Sequence, residues 1–379
     1  MVTTPTFHIA MFPWFAMGHI TQYLHFSNKF AERGHRITFF IPTKTQHKFS
    51  QLNHKSDLIK FISIDIPPVD GLAVGVETMS DVPLHKGSLF AQAFDPTQDQ
   101  VKVVLQHLKP NFIFFDLAYW VPTLACPLGI KPMYFPTGCR ELEGHFCEYI
   151  GNQYKKRVLL LGPVLRKPSH IPLAEKWGKW LAGFEKGSVV YCAFGSECVL
   201  TKDQFQELVL GLELTGFPFI VRLKPPFGVD TVEEALPDGF KDRIGGRGVV
   251  HGDWVQQELI LNHPSVGCFV SHCGFGSMWE SLVNTCQIIV VPHAGDQFVN
   301  AKFMTRELKV AVDVERREED GWFTKESMCK AVKLVMDQGS EVGEQVRANH
   351  HKWKDFLLSE GLESSYLDNF FIKLQDTLN

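Results

Sequence analysis

The sequence predicts an α/β protein with two doubly wound domains, each built on a parallel sheet. Three observations lead to this prediction. The 379 residues are enough for two separate cores. Short apolar runs of strand length alternate with helical patterns in both halves of the chain. A connection rich in proline and glycine, residues 162–172, separates the two series.

The first series runs from residue 7 to residue 135. The predicted strands are Phe7–Met11, Arg36–Ile41, Ile59–Ile64, Phe112–Phe115 and Pro132–Phe135. One predicted helix ends near Arg33, and another covers Val101–Leu108. Right-handed crossovers bring the carboxyl ends of parallel strands to one edge of the sheet, so we expect any site there.

The second series has the same alternation. The predicted strands are Ser188–Phe194, Phe219–Arg222, Val249–His251, Cys268–Ser271 and Ile288–Val291. Thr201 is predicted to open a helix, with Gln204 as its capping-box partner. Three helical patterns follow from Lys325 onward and close the chain.

Composition excludes several classes of protein. With 38 Lys and Arg against 42 Asp and Glu, the net charge of −4 gives no concentrated basic face for nucleic acid. The nine cysteines are scattered and form no CxxC pair, which argues against a zinc site or a disulfide framework. No run reaches the roughly 18 apolar residues of a membrane span. We therefore expect a reduced cytoplasmic protein without stable membrane insertion.

The segment from Trp254 to Gln297 carries the strongest functional signal. Its residues, together with Ser196 in an earlier turn, are candidates for binding a nucleotide-sugar donor. They are Trp254, Val255, Gln257, His272, Gly274, Gly276, Ser277, Glu280, Asp296 and Gln297. An exposed Trp can stack on a flat base. A glycine turn at a helix start favours a diphosphate, and carboxylates such as Glu280 and Asp296 can accept hydrogen bonds from ribose or sugar hydroxyls. Taken singly, His272 and Trp254 are more often core residues.

A second signal combines His19 with Asp116. His19 lies in the loop after the first strand, where a neutral imidazole can remove a proton from an acceptor hydroxyl. Such a base needs a carboxylate on its other nitrogen, and Asp116 ends the strand Phe112–Phe115. The alternative role of Asp116 is an N-cap for a helix over Tyr119–Leu128.

Together these residues resemble the signature of plant UDP-dependent family 1 glycosyltransferases. The resemblance implies two Rossmann-like domains facing across a cleft (the GT-B type) and transfer of a sugar, with glucose favoured, from a UDP-sugar to a small metabolite with inversion. In that family the residues that match His19 and Asp116 are the base and its partner. The run Cys-Gly-Phe-Gly-Ser-Met-Trp-Glu resembles the branch that extends a flavonoid or anthocyanin 3-O-glucoside.

The sequence departs from the family pattern at three places in this segment. Gln256 replaces the proline of Trp-x-Pro-Gln. Phe275 and Gly276 replace the Trp and Asn of His-Cys-Gly-Trp-Asn-Ser, and the change at Gly276 removes a side chain that often contacts the donor phosphate.

The resemblance also sets the expected domains. We expect an acceptor-binding domain over 1–161, a linker over 162–172, a UDP-sugar-binding domain over 173–358, and a terminal helix over 359–379 that packs back on the first domain. The first domain lacks several tens of residues that similar proteins carry after the position of Thr137. The candidate acceptor-binding residues are Trp14, Phe15, Gln22, Trp120 and His293.

The doubly wound pattern also allows other classes of protein. A nicotinamide-dependent oxidoreductase would need GxGxxG after the first strand, and that loop offers only Gly18. A non-catalytic UDP-sugar-binding relative stays open because the first half is short, as does transfer to a triterpenoid glycoside or a bare aglycone. We expect no metal, because no acidic DxD-type pair is present, and no cofactor, because the UDP-sugar is a co-substrate. The protein is expected to act as a monomer.

Overall fold

A computed structural model describes residues 6–135, 138–165 and 171–378. The chain divides into two compact units, one formed by the residues up to Leu161 together with those from Tyr366, the other by Gly162–Ser365. The segment predicted to be missing would join near Thr137, which lies outside the described residues.

The described part of the first unit contains a parallel sheet of five strands in the order β3-β2-β1-β4-β5. The strands are β1 His8–Phe12, β2 Arg36–Pro42, β3 Ile59–Ile64, β4 Phe112–Phe115 and β5 Lys131–Tyr134. The strand order reverses between β1 and β4, which are neighbours with Phe12 in register with Phe115. In a doubly wound sheet, such a reversal leaves a crevice at the carboxyl ends of the two strands.

Helices connect these strands. They are α1 Met17–Glu32, α2 Gln46–Phe49, α3 Gly87–Phe94, α4 Gln98–Leu108, α5 Val121–Ala125 and α6 Arg140–Tyr154. Beside the sheet, Phe12 is fully buried and meets the rings of Phe40, Phe94 and Trp120 at centroid distances of 5.3–5.6 Å. Edge-to-face and offset ring packing of this kind adds to the area term that stabilises the core.

The described part of the second unit contains a parallel sheet of six strands in the order β11-β10-β9-β6-β7-β8. The strands are β6 Val189–Ala193, β7 Phe219–Arg222, β8 Gly248–His251, β9 Val266–Ser271, β10 Gln287–Val290 and β11 Ala311–Asp313. Every residue of β6 is buried, as expected for an interior parallel strand. The strand order reverses between β6 and β9, so the loops after these two strands flank the crevice.

The helices of this unit complete a doubly wound architecture. They are α7 Glu175–Leu181, α8 Lys202–Thr215, α9 Val232–Ala235, α10 Phe240–Ile244, α11 Gln257–Leu261, α12 Phe275–Leu282, α13 Gln297–Lys302 continued by a π-helical turn over Phe303–Glu307, α14 Lys325–Met336 and α15 Glu341–Leu357. The prediction of an α/β chain with two doubly wound domains is thereby confirmed.

The last helix, α16 Leu362–Asp376, contributes to the first unit from Tyr366 onward. Phe370 and Phe371 pack on Phe30 with ring centroids 5.9 and 4.9 Å away, and Arg33 pairs with Asp368 at 3.1 Å. The structure therefore places the return to the first unit at Tyr366, later than the predicted residue 359.

Two local predictions need correction. Residues 162–165 and 171–172, predicted as part of a linker, belong to the second unit, while residues 166–170 lie outside the described part of the chain. Thr201 does cap α8 by accepting from the backbone N–H of Gln204. The Gln204 side chain, however, is buried and donates to the carbonyl of Phe323 instead of returning to the cap, so the reciprocal capping box is wrong.

Candidate active site

His19 and Asp116 come together at the carboxyl edge of the first sheet. His19 lies in the first turn of α1, directly after the β1 loop, and Asp116 follows the last residue of β4. Because β1 and β4 are adjacent and parallel, the two side chains meet, with His19 Nδ1 2.7 Å from Asp116 Oδ2. The histidine side chain is 44% exposed and the aspartate side chain 9%. This arrangement suits an oriented base that reaches a ligand.

The second oxygen of Asp116 holds the carboxylate in place. Oδ1 accepts hydrogen bonds from the backbone N–H groups of Trp14 at 2.7 Å and Leu117 at 2.6 Å. The side chain is therefore not an N-cap of α5, which begins at Val121. Since a carboxylate only accepts, the His19 proton lies on Nδ1 and the basic lone pair lies on Nε2.

Tyr23 lies one helical turn after His19 and is 2% exposed. Its ring stacks on Phe135 with centroids 4.0 Å apart. Burial, followed by the negative charge of Asp116, raises the pKa of the Tyr23 hydroxyl well above its usual value. The hydroxyl therefore remains protonated beside the carboxylate.

The candidate acceptor residues of this unit have different environments. Phe15 is 0% and Trp120 5% exposed, and both pack around Phe94. Both are therefore core side chains, contrary to the prediction that they contact an acceptor. Trp14 is only half-buried and packs edge-on against Phe94. Gln22 is 6% exposed, which also excludes its alternative role on a solvated helix face. Packing against Phe94 of α3 therefore places Phe15 and Trp120 in the core.

In the second unit, Trp254 is an exposed residue of the loop between β8 and α11. Its side chain is 76% exposed, whereas its neighbour Val255 is 4% exposed and anchors the loop in the core. An exposed indole on an anchored loop can stack on a nucleobase at little entropic cost.

Gln256, which stands where the similar proteins have proline, fastens the same loop to the start of the unit. Its Oε1 accepts from the N–H of Ala174 at 2.7 Å, and its Nε2 donates to the carbonyl of Pro172 at 3.0 Å. A proline at this position could make neither bond. This two-point attachment ties the end of the predicted linker to the second unit.

Gln257 and Glu280 form a polar pair beside this loop. Gln257 Nε2 donates to Glu280 Oε2 at 2.6 Å and lies 3.3 Å from Ser277 Oγ. Glu280 is on the second turn of α12, because the helix begins at Phe275. The pair places a carboxylate and an amide side by side, and both groups can hydrogen-bond to a diol.

His272 sits behind the turn that starts α12. A Cβ on Gly195 would lie 2.7 Å and one on Gly274 2.5 Å from His272 Nε2, so the imidazole is packed between two glycine backbones. Burial, and next the proximity of His293, lowers the pKa of His272 to about 4. The ring is thus neutral at pH 7, and the turn offers backbone N–H groups at a helix N-terminus, with Gly276 and Ser277 in the first turn of α12.

This turn is braced by residues that the sequence analysis did not identify. Cys273 adopts a left-handed backbone with φ 62°, and its N–H donates to Ser271 Oγ at 3.0 Å. Asn300 Nδ2 donates both to the Cys273 carbonyl and to Asp296 Oδ2, each at 3.0 Å. Asn300 therefore ties the carboxylate proposed to bind sugar to the turn proposed to bind diphosphate.

Gln297 closes the loop after β10. Its Oε1 accepts from the N–H groups of His293 at 2.9 Å and Ala294 at 3.1 Å, so only the amide N–H₂ can donate outward. Asp296 occupies the N-cap position of α13, but its side chain makes no capping hydrogen bond there. His293 is packed against Phe194, and burial followed by the charge of Arg316 lowers its pKa to about 4.

Arg222 at the end of β7 is a further residue that the sequence analysis missed. Nη1 donates to the carbonyl of Gly195 at 2.7 Å and Nε to that of Asp253 at 3.1 Å. One guanidinium thus joins the turn that carries Ser196 to the loop that carries Trp254. The available signal was a basic residue that ends an otherwise apolar strand.

Within the described residues, no group of three or more His, Cys, Asp or Glu side chains could hold a metal ion. No described helix is both long and apolar enough to cross a membrane.

Comparison with known proteins places the chain in a family. Residues 172–347 match the family model "UDP-glucoronosyl and UDP-glucosyl transferase". The chain is 46% identical, over 99% of both sequences, to cyanidin 3-O-galactoside 2″-O-xylosyltransferase FGGT1 of Actinidia chinensis var. chinensis. It is 44% identical, over 98% of both, to anthocyanidin 3-O-glucoside 2″-O-glucosyltransferase of Ipomoea nil.

The chain belongs to the UDP-glycosyltransferase family and resembles its glycoside-extending branch. The crystal structure of Arabidopsis thaliana UGT89C1 with UDP-L-rhamnose has the same fold, with a TM-score of 0.84 at 22% identity over 98% of this chain and 100% of that one. The GT-B fold class and the transferase class are thereby confirmed.

The alignment with FGGT1 is longer than this chain. It spans 453 positions, which exceeds the 379 residues of this chain by 74. At least that many positions of the relative therefore have no counterpart here, although the alignment covers nearly all of both sequences.

Proposed function

We propose that this protein is an inverting glycosyltransferase that transfers glucose from UDP-glucose to the sugar of a flavonoid or anthocyanin 3-O-glycoside. The product is a disaccharide on the flavonoid. The observation that carries the proposal is the His19–Asp116 pair at 2.7 Å, since it provides a base for a hydroxyl acceptor. The named activities of the Actinidia and Ipomoea relatives support a sugar as that acceptor.

In the proposed mechanism, Nε2 of His19 takes the proton of the acceptor hydroxyl as that oxygen bonds to the anomeric carbon. The bond from the anomeric carbon to the UDP oxygen breaks on the opposite face, so the configuration inverts. Asp116 stabilises the imidazolium that forms. UDP leaves with the electron pair, and the N–H groups at the start of α12 stabilise its charge.

We propose that donor binding needs no metal, with Trp254 stacked on uracil, Glu280 and Gln257 on the ribose, and Asp296 and Gln297 on the sugar. Trp254→Ala should weaken UDP binding by about 1–3 kcal/mol, measured by calorimetry. Unchanged UDP affinity would contradict the assignment. Turnover should persist in EDTA, and its loss there would overturn the metal-free proposal.

The acceptor and donor are tested with purified protein. Cyanidin and cyanidin 3-O-glucoside are compared as acceptors with UDP-glucose, UDP-xylose, UDP-galactose and UDP-rhamnose as donors. The proposal expects the glucoside to be used faster than the aglycone and UDP-glucose to be the best donor. Faster use of the aglycone would refute the sugar-on-sugar assignment, and a preference for UDP-xylose would correct the donor. Turnover of a triterpenoid glycoside, with no turnover of either cyanidin compound, would show that the acceptor is not a flavonoid.

A second candidate function is UDP-sugar binding without transfer. It is favoured by the 74 alignment positions of FGGT1 that have no counterpart in this chain. Tight UDP binding with no turnover on any acceptor would support this candidate.

For the cellular setting we propose the cytosol. Its support is that all nine cysteines are free thiols, six of them buried. We further propose that the protein acts as a monomer, which sedimentation of the purified chain would test.

A further inference from the structure

Tyr191 occupies the middle of β6, an interior strand of the second sheet. It is 0% exposed, and its ring stacks on Phe269 with centroids 5.4 Å apart and planes 15° from parallel. Its ring lies in an apolar core cluster, and its hydroxyl donates to Gln257 Oε1 at 3.2 Å. A buried hydroxyl needs such a partner, so the bond holds both groups.

The orientation of the Gln257 amide follows from its two neighbours. The amide N–H₂ faces Glu280 Oε2 at 2.6 Å because a carboxylate only accepts. The amide oxygen is thereby turned toward Tyr191, whose hydroxyl donates to it. Burial raises the pKa of Tyr191 far above its usual value; the charge of Arg222 opposes this shift and that of Glu280 adds to it, so the hydroxyl keeps its proton at neutral pH.

We propose that Tyr191 is a positioning residue of the ribose site, acting through Gln257 on Glu280. The inference rests on the proposed function, in which these two side chains bind the ribose. Tyr191 does not touch the nucleotide. It holds the Gln257 amide, and the amide holds the carboxylate in the position where the ribose hydroxyls donate to it.

Tyr191→Phe tests this chain of hydrogen bonds with the removal of one oxygen atom. The ring can keep its stack on Phe269, while Gln257 Oε1 loses its donor. A hydrogen bond of this kind contributes a net factor of about 3 to 10 in a binding constant. We therefore expect UDP to bind about 3- to 10-fold more weakly. Binding of 2′-deoxy-UDP should change less, because that ligand lacks one of the hydroxyls that the carboxylate reads.

The measured quantity is the ratio of the dissociation constants of 2′-deoxy-UDP and UDP, by calorimetry on the full chain. Wild type should prefer UDP, and Tyr191→Phe should reduce this preference. Val189→Ala is the matched control, since Val189 lies on the same strand and in the same apolar cluster but has no polar group. It should lower the melting temperature and leave the ratio unchanged.

The outcomes separate the inference from the proposed function. An unchanged ratio in Tyr191→Phe, with or without a lower melting temperature, would overturn the positioning role while UDP binding by wild type stands. A wild type that binds UDP and 2′-deoxy-UDP equally would overturn it as well. A wild type that binds no UDP would overturn the proposed function itself. In turnover, a raised KM for the UDP-sugar at unchanged kcat would support the inference.

Discussion

Asp116→Asn isolates the contribution of one negative charge to the proposed base. In the wild type, Asp116 Oδ2 accepts from His19 Nδ1 at 2.7 Å, while Oδ1 accepts from the N–H groups of Trp14 and Leu117. An amide oxygen can still accept from both backbone groups, so the loop should keep its shape. The amide N–H₂ would then face His19 Nδ1, which would force the ring proton onto Nε2. Nε2 would lose the lone pair that the reaction needs.

The size of the effect follows from the geometry of the pair. Two unit charges about 4 Å apart attract by about 4 kcal/mol at an effective dielectric constant of about 20. The His19 side chain is 44% exposed, so solvent reduces this value to about 2 kcal/mol. These bounds correspond to a loss of about 30- to 1,000-fold in kcat, and the unfavourable tautomer acts in the same direction.

The assay follows formation of the disaccharide product by chromatography, with UDP-glucose and cyanidin 3-O-glucoside at saturating concentrations. UDP affinity, measured by calorimetry, is the control and should not change, because Asp116 belongs to the other unit of the chain. A decrease in kcat smaller than about threefold would refute the idea that Asp116 stabilises a charged His19 during transfer.

Four further predictions test other parts of the structure. His19→Ala should lower kcat by about 10²- to 10⁴-fold at unchanged UDP affinity; retention of a tenth of the activity would exclude His19 as the base. Arg222→Lys keeps the positive charge but loses the two-pronged guanidinium that bonds to both Gly195 and Asp253. The loss of one or two hydrogen bonds should raise KM for the UDP-sugar about 3- to 30-fold. An unchanged KM would contradict the idea that Arg222 joins these two loops. Gly274→Ala should abolish UDP binding in calorimetry, because the added Cβ would lie 2.5 Å from His272 Nε2. A variant that binds UDP as tightly as the wild type would contradict this prediction. Burial lowers the pKa of His350 to about 4 in the folded chain, so on acidification the unfolded chain binds this proton first, and the free energy of unfolding falls as the pH drops below about 6.5. In urea titrations, the free energy of unfolding of His350→Gln should therefore fall by about 2 kcal/mol less than that of the wild type between pH 7 and pH 5. Equal decreases in the two proteins would contradict this role of His350.

Much of the fold could be predicted from local patterns. The apolar runs that predicted strands lie within one or two residues of most observed strands, because a buried parallel strand is continuously apolar. β11, of only three residues at the sheet edge, gave no such run and was not predicted. The three terminal helices were predicted because their periodicity and caps are local properties.

The candidate site was predicted in part for a related reason. His19, Asp116 and most candidate residues between Trp254 and Gln297 lie in the loops after predicted strands or near helix starts, and parallel sheets collect such positions at one edge. The sequence by itself therefore determined which residue types stand at the carboxyl ends of the strands.

Only the tertiary structure decided which of these residues face a ligand and what holds them there. Phe15 and Trp120 entered the core because Phe94, far away in the sequence, packs against both. Arg222 donates to the carbonyl of Gly195, 27 positions away, and Tyr191 donates to Gln257, 66 positions away. Sequence periodicity reports the face of an element on which a side chain lies. The partner on that face is set by the packing of distant segments, which no local pattern contains.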